Sequence, residues 1–471
     1  MKSVSVRAPL VLFAALSFGA TCRPRIDAPA PTVPLVAPSP APASRIDTYV
    51  RIPLGSIAEV ANDVVPRHFQ VAPYRMVVEG TEQEPVVTAG YDVERDRLSI
   101  EVDHGRLLLR TSLAYWVRAQ RHVGPIEVPG SCGIDEPRRH FALSVGIEAR
   151  IDPSLELLPS FAVEQLDAVD RCEMTFASVD VTGHVSASLR RELERQLPSL
   201  RARVQTAIGL RREAERAFAE LGETVALDDG TFFRFRPESL GVSQPTIEGQ
   251  FLRVGLSLRA FPEVRVDRPI ESGDVAFSGS TTQVGTPGIE LNVPVLVPYA
   301  TIERTLAEEF RLADGGVRYP PVGRRYIRPT HLALYGYGTT IVVRVEFTGF
   351  ADGVLYLTGT PTLDAATQTI AFPDLDYTVE TRSLLMRLAS HLRADDVRDD
   401  LRGRIRLDMR ERLDATRVRL SQALRRRMGS LELQGAIDTL RVVGLEADPS
   451  EQMLRATVRA TGIVTAQVVG D

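Results

Sequence analysis

The side chains that most often carry catalysis or bind metals lie far apart in this chain. No HExxH, CxxC, GxSxG, Walker or GxGxxG pattern occurs, so neither a metal site nor an activated nucleophile is indicated. Asp374 and Asp376 could form a carboxylate dyad, but alternate positions on an exposed strand explain their spacing as well. Only the fold could bring the histidines together; they are His68, His104, His122, His140, His184, His331 and His391. We therefore expect no enzyme activity, no catalytic residue, no metal and no cofactor.

Two of the three cysteines, Cys132 and Cys172, lie 40 residues apart. In an exported protein an isolated pair of cysteines is most simply a disulfide. A loop of this length would add about 4 kcal/mol of stability in the chain-entropy model. A metal site or a reactive thiol would need partner residues, and the sequence motifs for them are missing.

The first 22 residues have the composition of an export signal. A basic start is followed by an apolar run from 8 to 18, which is too short for a transmembrane helix. Small residues then lead to Cys22, as at the lipidated cysteine of bacterial lipoproteins; ordinary signal cleavage, with Cys22 incidental, is the alternative. Residues 23–44 are rich in Pro and Ala and predict an extended tether. We expect export to the bacterial cell envelope, with a lipid anchor at Cys22 that faces the periplasm.

Length and charge narrow the class of protein further. The chain has 471 residues, 44% of them hydrophobic, which suits about two or three domains with a sizeable core. Its net charge of −5 gives no indication of a nucleic-acid partner.

One local sequence pattern occurs twice in the chain. The stretches are RIPLGSIAEVANDV from Arg51 and LVPYATIERTLAEE from Leu296. Each predicts a strand that ends in Pro, followed by an amphipathic helix with Ser56 or Thr301 as its N-cap. Alternating, strand-like runs and a long helical stripe follow both copies. The chain therefore reads as a duplication with the order helix, meander, long helix, strands.

The long helices should position any binding surface. The first carries Pro198, which should bend it, and the second is predicted from Asp395 to Met428, about 50 Å at 1.5 Å per residue. We expect an α+β fold of two tandem modules, residues 45–285 and 286–471, each a long helix wrapped by a strongly curved antiparallel sheet. The open end of such a roll would leave an apolar groove. Its candidate lining residues are Leu189, Leu193, Leu197, Val204, Leu401, Ile405, Leu420 and Leu424.

The chain resembles the bacterial domain-of-unknown-function family 4403. The stretches that carry the resemblance are LNVPVLVPYATIERTLAEEF, HLALYGYGTTIVVRVEFTGFADGVLYLTGTPTLD and FPDLDYTVETRSLLMRLASHL. The resemblance implies an exported, often lipid-anchored protein whose halves are similar to the tubular lipid-binding (BPI-like) fold. It brings no catalytic residues with it.

Two functions remain open from the sequence. The first is a non-enzymatic envelope lipoprotein that binds or transfers a lipid or another hydrophobic ligand in an apolar groove. The alternative is a structural or scaffolding lipoprotein without a ligand, whose protein partner is unknown. The first predicts lipid that copurifies with the protein, and the second predicts a closed, dry core.

Overall fold

The computed structural model describes most of the chain after the predicted signal segment. The described residues are 25–27, 30, 40–77, 86–123, 125–175, 179–227, 230–271, 273, 275–319, 326–337, 339–378, 381, 394–425, 427–428, 431–448 and 450–468. Cys22 and the predicted signal segment 1–22 lie outside them. Within these ranges, no helix combines the length and the apolar composition that crossing a membrane requires.

The fold is α+β and mostly sheet, as the sequence predicted for its class. The helices of the described ranges are α1 Leu54–Val64, α2 Thr182–Ile208, α3 Leu210–Leu221, α4 Tyr299–Glu309, α5 Ala394–Arg404 and α6 Arg410–Ala423. A 3₁₀ turn follows α4 at Leu312–Asp314.

The strands of the described ranges form four sheets. The first-half sheet contains β3 His68–Val77, β4 Val86–Arg95, β5 Ser99–Asp103, β6 Arg106–Val123, β7 Ile126–Cys132, β8 Arg139–Ile151 and β9 Leu157–Ala168, in the order β3-β4-β6-β8-β9 with β5 and β7 on β6. The second-half sheet contains β1 Arg25–Asp27, β18 Ile327–Tyr337, β19 Thr340–Gly349, β20 Asp352–Gly359 and β23 Asp376–Tyr377. A small sheet contains β21 Thr362–Asp364, β22 Thr369–Ala371 and β24 Leu407–Asp408. Because β1 pairs with β20, part of the predicted tether joins the second-half sheet.

The fourth sheet, which we call the central sheet, takes strands from both halves of the chain. Its strands are β2 Ser44–Pro53, β10 Thr224–Ala226, β11 Thr231–Arg234, β12 Pro237–Val242, β13 Thr246–Glu248, β14 Phe251–Ala260, β15 Glu263–Val266, β16 Gly279–Thr281, β17 Gly288–Pro298, β25 Arg427–Met428, β26 Leu431–Asp448 and β27 Met453–Val468. The main path runs β10-β11-β15-β17-β27-β2-β14-β12-β16. The predicted boundary between residues 285 and 286 falls between β16 and β17, and the domain division itself stays a prediction.

Helix α2 packs against the first-half sheet. Val185 and Leu189 are buried in one core with Tyr91 of β4, Tyr115 of β6 and Phe141 of β8. A single helix that contacts three strands in this way organises the core of the first half, because an apolar stripe on a helix must be buried against another element.

Two polar contacts fix this helix on its sheet. The Tyr91 hydroxyl donates to Ser188 Oγ at 3.1 Å, and burial raises the pKa of Tyr91 to about 12. The Gln205 amide donates to the Leu157 carbonyl of the edge strand β9 at 2.9 Å. The helix therefore runs along β9, with Pro198 inside it as predicted.

The second long helix is not formed, so the prediction of a continuous helix from Asp395 to Met428 is wrong. Helix α5 ends at Arg404, and Leu407–Asp408 pairs with β22 before α6 begins. The Asp408 carboxylate accepts the backbone N–H of Arg410 at 3.0 Å, which starts a new helix instead of continuing the old one. Two tandem helix-wrapped modules are therefore not confirmed.

The duplicated sequence pattern is a duplicated structure. In the first copy Pro53 pairs with Phe251, and the next residue, Leu54, donates its N–H to the Gln250 carbonyl at 3.0 Å. In the second copy the same relation joins Pro298 to Met453 and Tyr299 to the Gln452 carbonyl, the latter at 3.1 Å. Each copy is thus a strand and a helix held by a later hairpin of its own half.

The predicted N-caps are wrong. The helices begin at Leu54 and Tyr299, directly after the prolines, and neither N-cap position has a side-chain cap bond. Proline presets the φ angle at the helix start, and the tertiary bond to the hairpin satisfies the first N–H. Thr301 instead donates its hydroxyl to Asp267 Oδ2 at 2.6 Å.

Candidate functional site

Among the described residues, the histidine, cysteine and acidic side chains form no group of three or more that could hold a metal ion. His140 Nδ1 lies 2.9 Å from Asp170 Oδ2, a half-exposed pair without a third partner of metal-ligating type. Asp374 accepts the N–H of Thr360 at 2.7 Å, and Asp376 accepts the N–H of Tyr377 at 2.8 Å. Both carboxylates of the candidate dyad therefore accept backbone hydrogen bonds.

Cys132 and Cys172 are joined in a disulfide with a Cα–Cα distance of 5.7 Å. Both are fully buried in the first-half core. The bond ties the end of β7 to the segment before α2, and the Cys172 N–H donates to Thr182 Oγ1 at 2.7 Å in the first turn of that helix. The disulfide thus helps to place α2 on its sheet.

The predicted groove residues are not brought together. Leu189 and Leu401 are buried in separate cores, and Leu193 and Ile405 pack against those same cores. Leu424 packs in a third cluster, whereas Leu420 is 40% exposed. Leu197 and Val204 are half-buried on the second part of α2.

Among the described residues, the space beside Leu401 is small. The cavity beside it, lined also by Phe310, Tyr319 and Phe347, has a volume of about 20 Å³. That is roughly the space of one water molecule. The second-half core is therefore closed at this point.

The apolar surface that remains partly open lies on the central sheet. Side chains of a strand alternate between its two faces, and residues paired across strands share a face. Strands β17 and β27 pair as Val293–Val458, Val295–Ala456 and Val297–Leu454. On the other side of β17, Val264 of β15 lies beside Val295. Strands β2 and β14 pair as Ile46–Leu258, Thr48–Leu256, Val50–Val254 and Ile52–Leu252. Ile46 also pairs with Ile289 of β17, so the paired residues of β17 and β27 and those of β2 and β14 lie on the same face of the sheet. Among these paired positions, Thr48 is the polar residue.

The ends of this apolar face are covered by packed elements. Val254 and Leu256 pack with Ile151 and Leu155 of the first half and with Leu210 of α3. Near the junction of the two halves, Leu424 joins the cluster of Ile289 and Ala460. At the second-half end, Leu454 packs against the core of that half.

Between these covers lies a set that we call the apolar strip. Its members are Val264, Val293, Val295, Val297, Ala456 and Val458. All six are half-buried, and none belongs to a core cluster of the described residues. The strip spans three neighbouring strands, β15, β17 and β27. Val50, Ile52 and Leu252 are also half-buried on this face, but they lie beyond the cluster of Ile289 and Ala460. An apolar surface that the fold does not fully cover can receive an apolar ligand.

The opposite face of the central sheet is charged and largely neutralised by ion pairs. Arg45 contacts Asp47 at 2.8 Å, Arg259 contacts Glu238 at 3.1 Å, and Arg455 contacts the buried Asp448 at 3.3 Å. The two faces therefore differ sharply in polarity, and the apolar face is the one suited to a hydrophobic molecule.

The family described as domain of unknown function DUF4403 matches residues 42–468. The chain belongs to this family. The match spans both copies of the repeated strand and helix as well as the central sheet, and it confirms the resemblance seen in the sequence.

Two solved structures are similar to this DUF4403 chain. The crystal structure of lipopolysaccharide binding protein is 9% identical, covers 92% of this chain and 100% of its own, and has a TM-score of 0.31. That of P47 of Clostridium botulinum E1 is 8% identical, covers 88% and 98%, and has a TM-score of 0.19. At these TM-scores neither similarity supports an inference about the function of this chain. No curated protein matches the DUF4403 sequence.

The helical stripes of this DUF4403 chain predicted groove residues on helices, whereas the apolar strip lies on strands. The strip was readable in principle, because GIELNVPVLVP, MLRATVRATGIVTAQV and SRIDTYVRIP alternate apolar and polar residues over long stretches. What the alternation could not reveal was the pairing of these strands, which are up to about 400 residues apart in the chain.

Proposed function

We propose that this DUF4403 chain is a non-enzymatic protein of the bacterial cell envelope that binds a lipid or another hydrophobic ligand against the apolar strip. The observation that carries the proposal is the strip itself, six half-buried apolar side chains of the central sheet outside every core cluster of the described residues. Acyl chains gain about 0.8 kcal/mol for each CH₂ that leaves water, so even a short contact gives useful affinity.

The position of the strip supports this function. It takes strands β17 and β27 from the second half and β15 from the first, so one ligand would contact both halves of the chain. The predicted lipid anchor at Cys22 would keep such a protein at the membrane from which it takes its ligand, and transfer between membranes is part of the proposal.

The test uses the full chain with Cys22→Ser, which removes the proposed anchor. The protein is exported in a bacterial host, purified without detergent and extracted for lipid mass spectrometry. We expect about one lipid per chain. A lipid-free protein that also takes up no fluorescent fatty acid or phospholipid would refute the proposal and favour the scaffolding alternative, for which crosslinking should then identify a protein partner.

Neighbouring residues on one strand offer a matched pair of variants. Val458 lies on the apolar strip, whereas Thr457 points to the opposite face of β27. Val458→Asn should lower lipid occupancy about tenfold, since it places a polar group where an acyl chain would lie. Thr457→Asn should leave occupancy unchanged. Equal occupancy in the two variants would place the ligand elsewhere on the molecule.

A further inference from the structure

Two arginines stand directly opposite each other on the charged face of the central sheet. Arg51 of β2 pairs in register with Arg253 of β14. Like charges at directly opposed positions repel, so such a pair disfavours the sheet unless something else neutralises it. The pair lies close to the point where β2 ends and α1 begins.

Aromatic rings hold both guanidinium groups in place. Arg51 Cζ lies 4.0 Å from the centre of the Phe251 ring, and Arg253 Cζ lies 4.5 Å from that of Tyr49. The Tyr49 hydroxyl is itself within 2.9 Å of the Gly285 carbonyl oxygen, which fixes this ring. Stacking orients a guanidinium without using its hydrogen-bond donors, so the donors stay free for a ligand.

The charge of the pair is only partly compensated within the described residues. The Nε of Arg51 and that of Arg253 are both buried and lack a hydrogen-bond acceptor in this part of the molecule. Glu248 forms an ion pair with Arg253 at 3.8 Å, whereas no acidic group of the described ranges lies within ion-pair distance of Arg51. Buried donors without partners are uncommon in native proteins and call for an acceptor.

The second copy of the repeat shows that the fold does not require this arrangement. Two residues before Pro298 stands Leu296, and it pairs with Arg455 just as Arg51 pairs with Arg253. In that copy Arg455 pairs with Asp448 at 3.3 Å, as Arg253 pairs with Glu248 at 3.8 Å, but the position of Arg51 is taken by the buried Leu296. A leucine therefore fits the position of Arg51, and the additional arginine of the first copy calls for a functional reason.

We propose that Arg51 and Arg253 together bind a phosphate group. Two stacked guanidinium groups present planar sets of donors, which match the oxygen atoms of phosphate and bind them in bidentate fashion. The phosphate belongs either to a free phosphate ester or to a lipid headgroup, since both present the same oxygens. This inference does not depend on the apolar strip, which lies on the other face of the sheet.

The experiment compares Arg51→Leu with Arg45→Leu in the full chain carrying Cys22→Ser. Both changes remove one positive charge from the same face of β2, but Arg45 already contacts Asp47 at 2.8 Å. Binding is measured by calorimetry with inorganic phosphate and pyrophosphate, and by flotation with phosphatidylglycerol or phosphatidylcholine vesicles. Arg51→Leu should weaken binding at least about tenfold, and Arg45→Leu less than about twofold.

Each binding measurement identifies one source of the phosphate. Binding of soluble phosphate identifies a free phosphate ester as the source, and binding of phosphatidylglycerol vesicles alone identifies a lipid headgroup. An unmodified protein that binds none of the probes overturns the inference, as do equal losses in the two leucine variants. Arg51→Lys, which keeps the charge and the fold but lacks the planar donors, should bind more weakly than the unmodified protein. If the phosphate probes do not bind but lipid still binds at the apolar strip, the inference about the arginine pair is wrong and the proposed function stands.

Discussion

Arg95 is the buried cation on which the position of α1 depends most directly. It is 6% exposed and makes five hydrogen bonds without an acidic partner among them. Its acceptors are the backbone carbonyls of Asn62, Val65, Pro66 and Asp96 and the side-chain oxygen of Asn62. The guanidinium therefore closes the C-terminal end of α1 and the turn that follows it.

The expected cost of Arg95→Met follows from these contacts. The methionine keeps part of the apolar stem but leaves several buried carbonyl groups without a donor. One hydrogen bond to a charged group contributes about 1.5–3 kcal/mol, and the five act as one unit, so their contributions do not simply add. We expect the free energy of unfolding of the first half to fall by about 3–5 kcal/mol, because each buried acceptor left without a donor costs about 1–3 kcal/mol.

Fluorescence reports on this region directly. Trp116 is the single tryptophan of the chain and lies on β6 of the first-half sheet. Urea unfolding followed at Trp116 should show the loss for Arg95→Met. The control is Arg97→Met, whose side chain is 76% exposed with Glu59 at 3.7 Å and should matter by less than about 0.5 kcal/mol. Equal stabilities of the two variants would refute the assignment of Arg95 as the residue that fixes α1.

Two further predictions concern covalent and ionic ties. Replacing both Cys132 and Cys172 by Ser should lower the stability of the same Trp116 transition by about 4 kcal/mol, because the loop spans 40 residues; an unchanged urea midpoint would contradict this. Hydrogen bonds from Thr301 and Arg304 hold the pKa of Asp267 below its usual 3.8. Its stabilisation is complete above that pH and is lost as the pH falls through the lower folded pKa, so thermal melts of Asp267→Asn should approach those of the unmodified protein as the pH is lowered below that folded pKa. A difference in melting temperature between the two proteins that persists in acid would show that these hydrogen bonds to the Asp267 carboxylate are not what stabilises the unmodified protein.

Local patterns in the sequence gave reliable information where the interaction itself is local or nearly so. A strand that ends in Pro53 or Pro298 and is followed by a helix predicted a duplication, and both copies have the same contacts. The α+β class and the long helix α2 also followed from apolar periodicity. The second long helix failed because Asp408 offers a local acceptor that begins a new helix at Arg410, and a stripe of leucines does not record that competition.

The sequence by itself determined the repeated unit, the helix of the first half and the family to which the chain belongs. Only the tertiary structure decided which apolar residues are core and which stay partly open. Leu189 and Val293 are both apolar residues in strongly periodic segments, yet Leu189 is fully buried between α2 and the first-half sheet, and Val293 lies half-buried on the apolar strip. The physical reason is that exposure depends on which distant elements cover a surface. The pairing of β2 with β27 and of β17 with both strands joins residues at opposite ends of the chain, and periodicity within a segment carries no information about such partners.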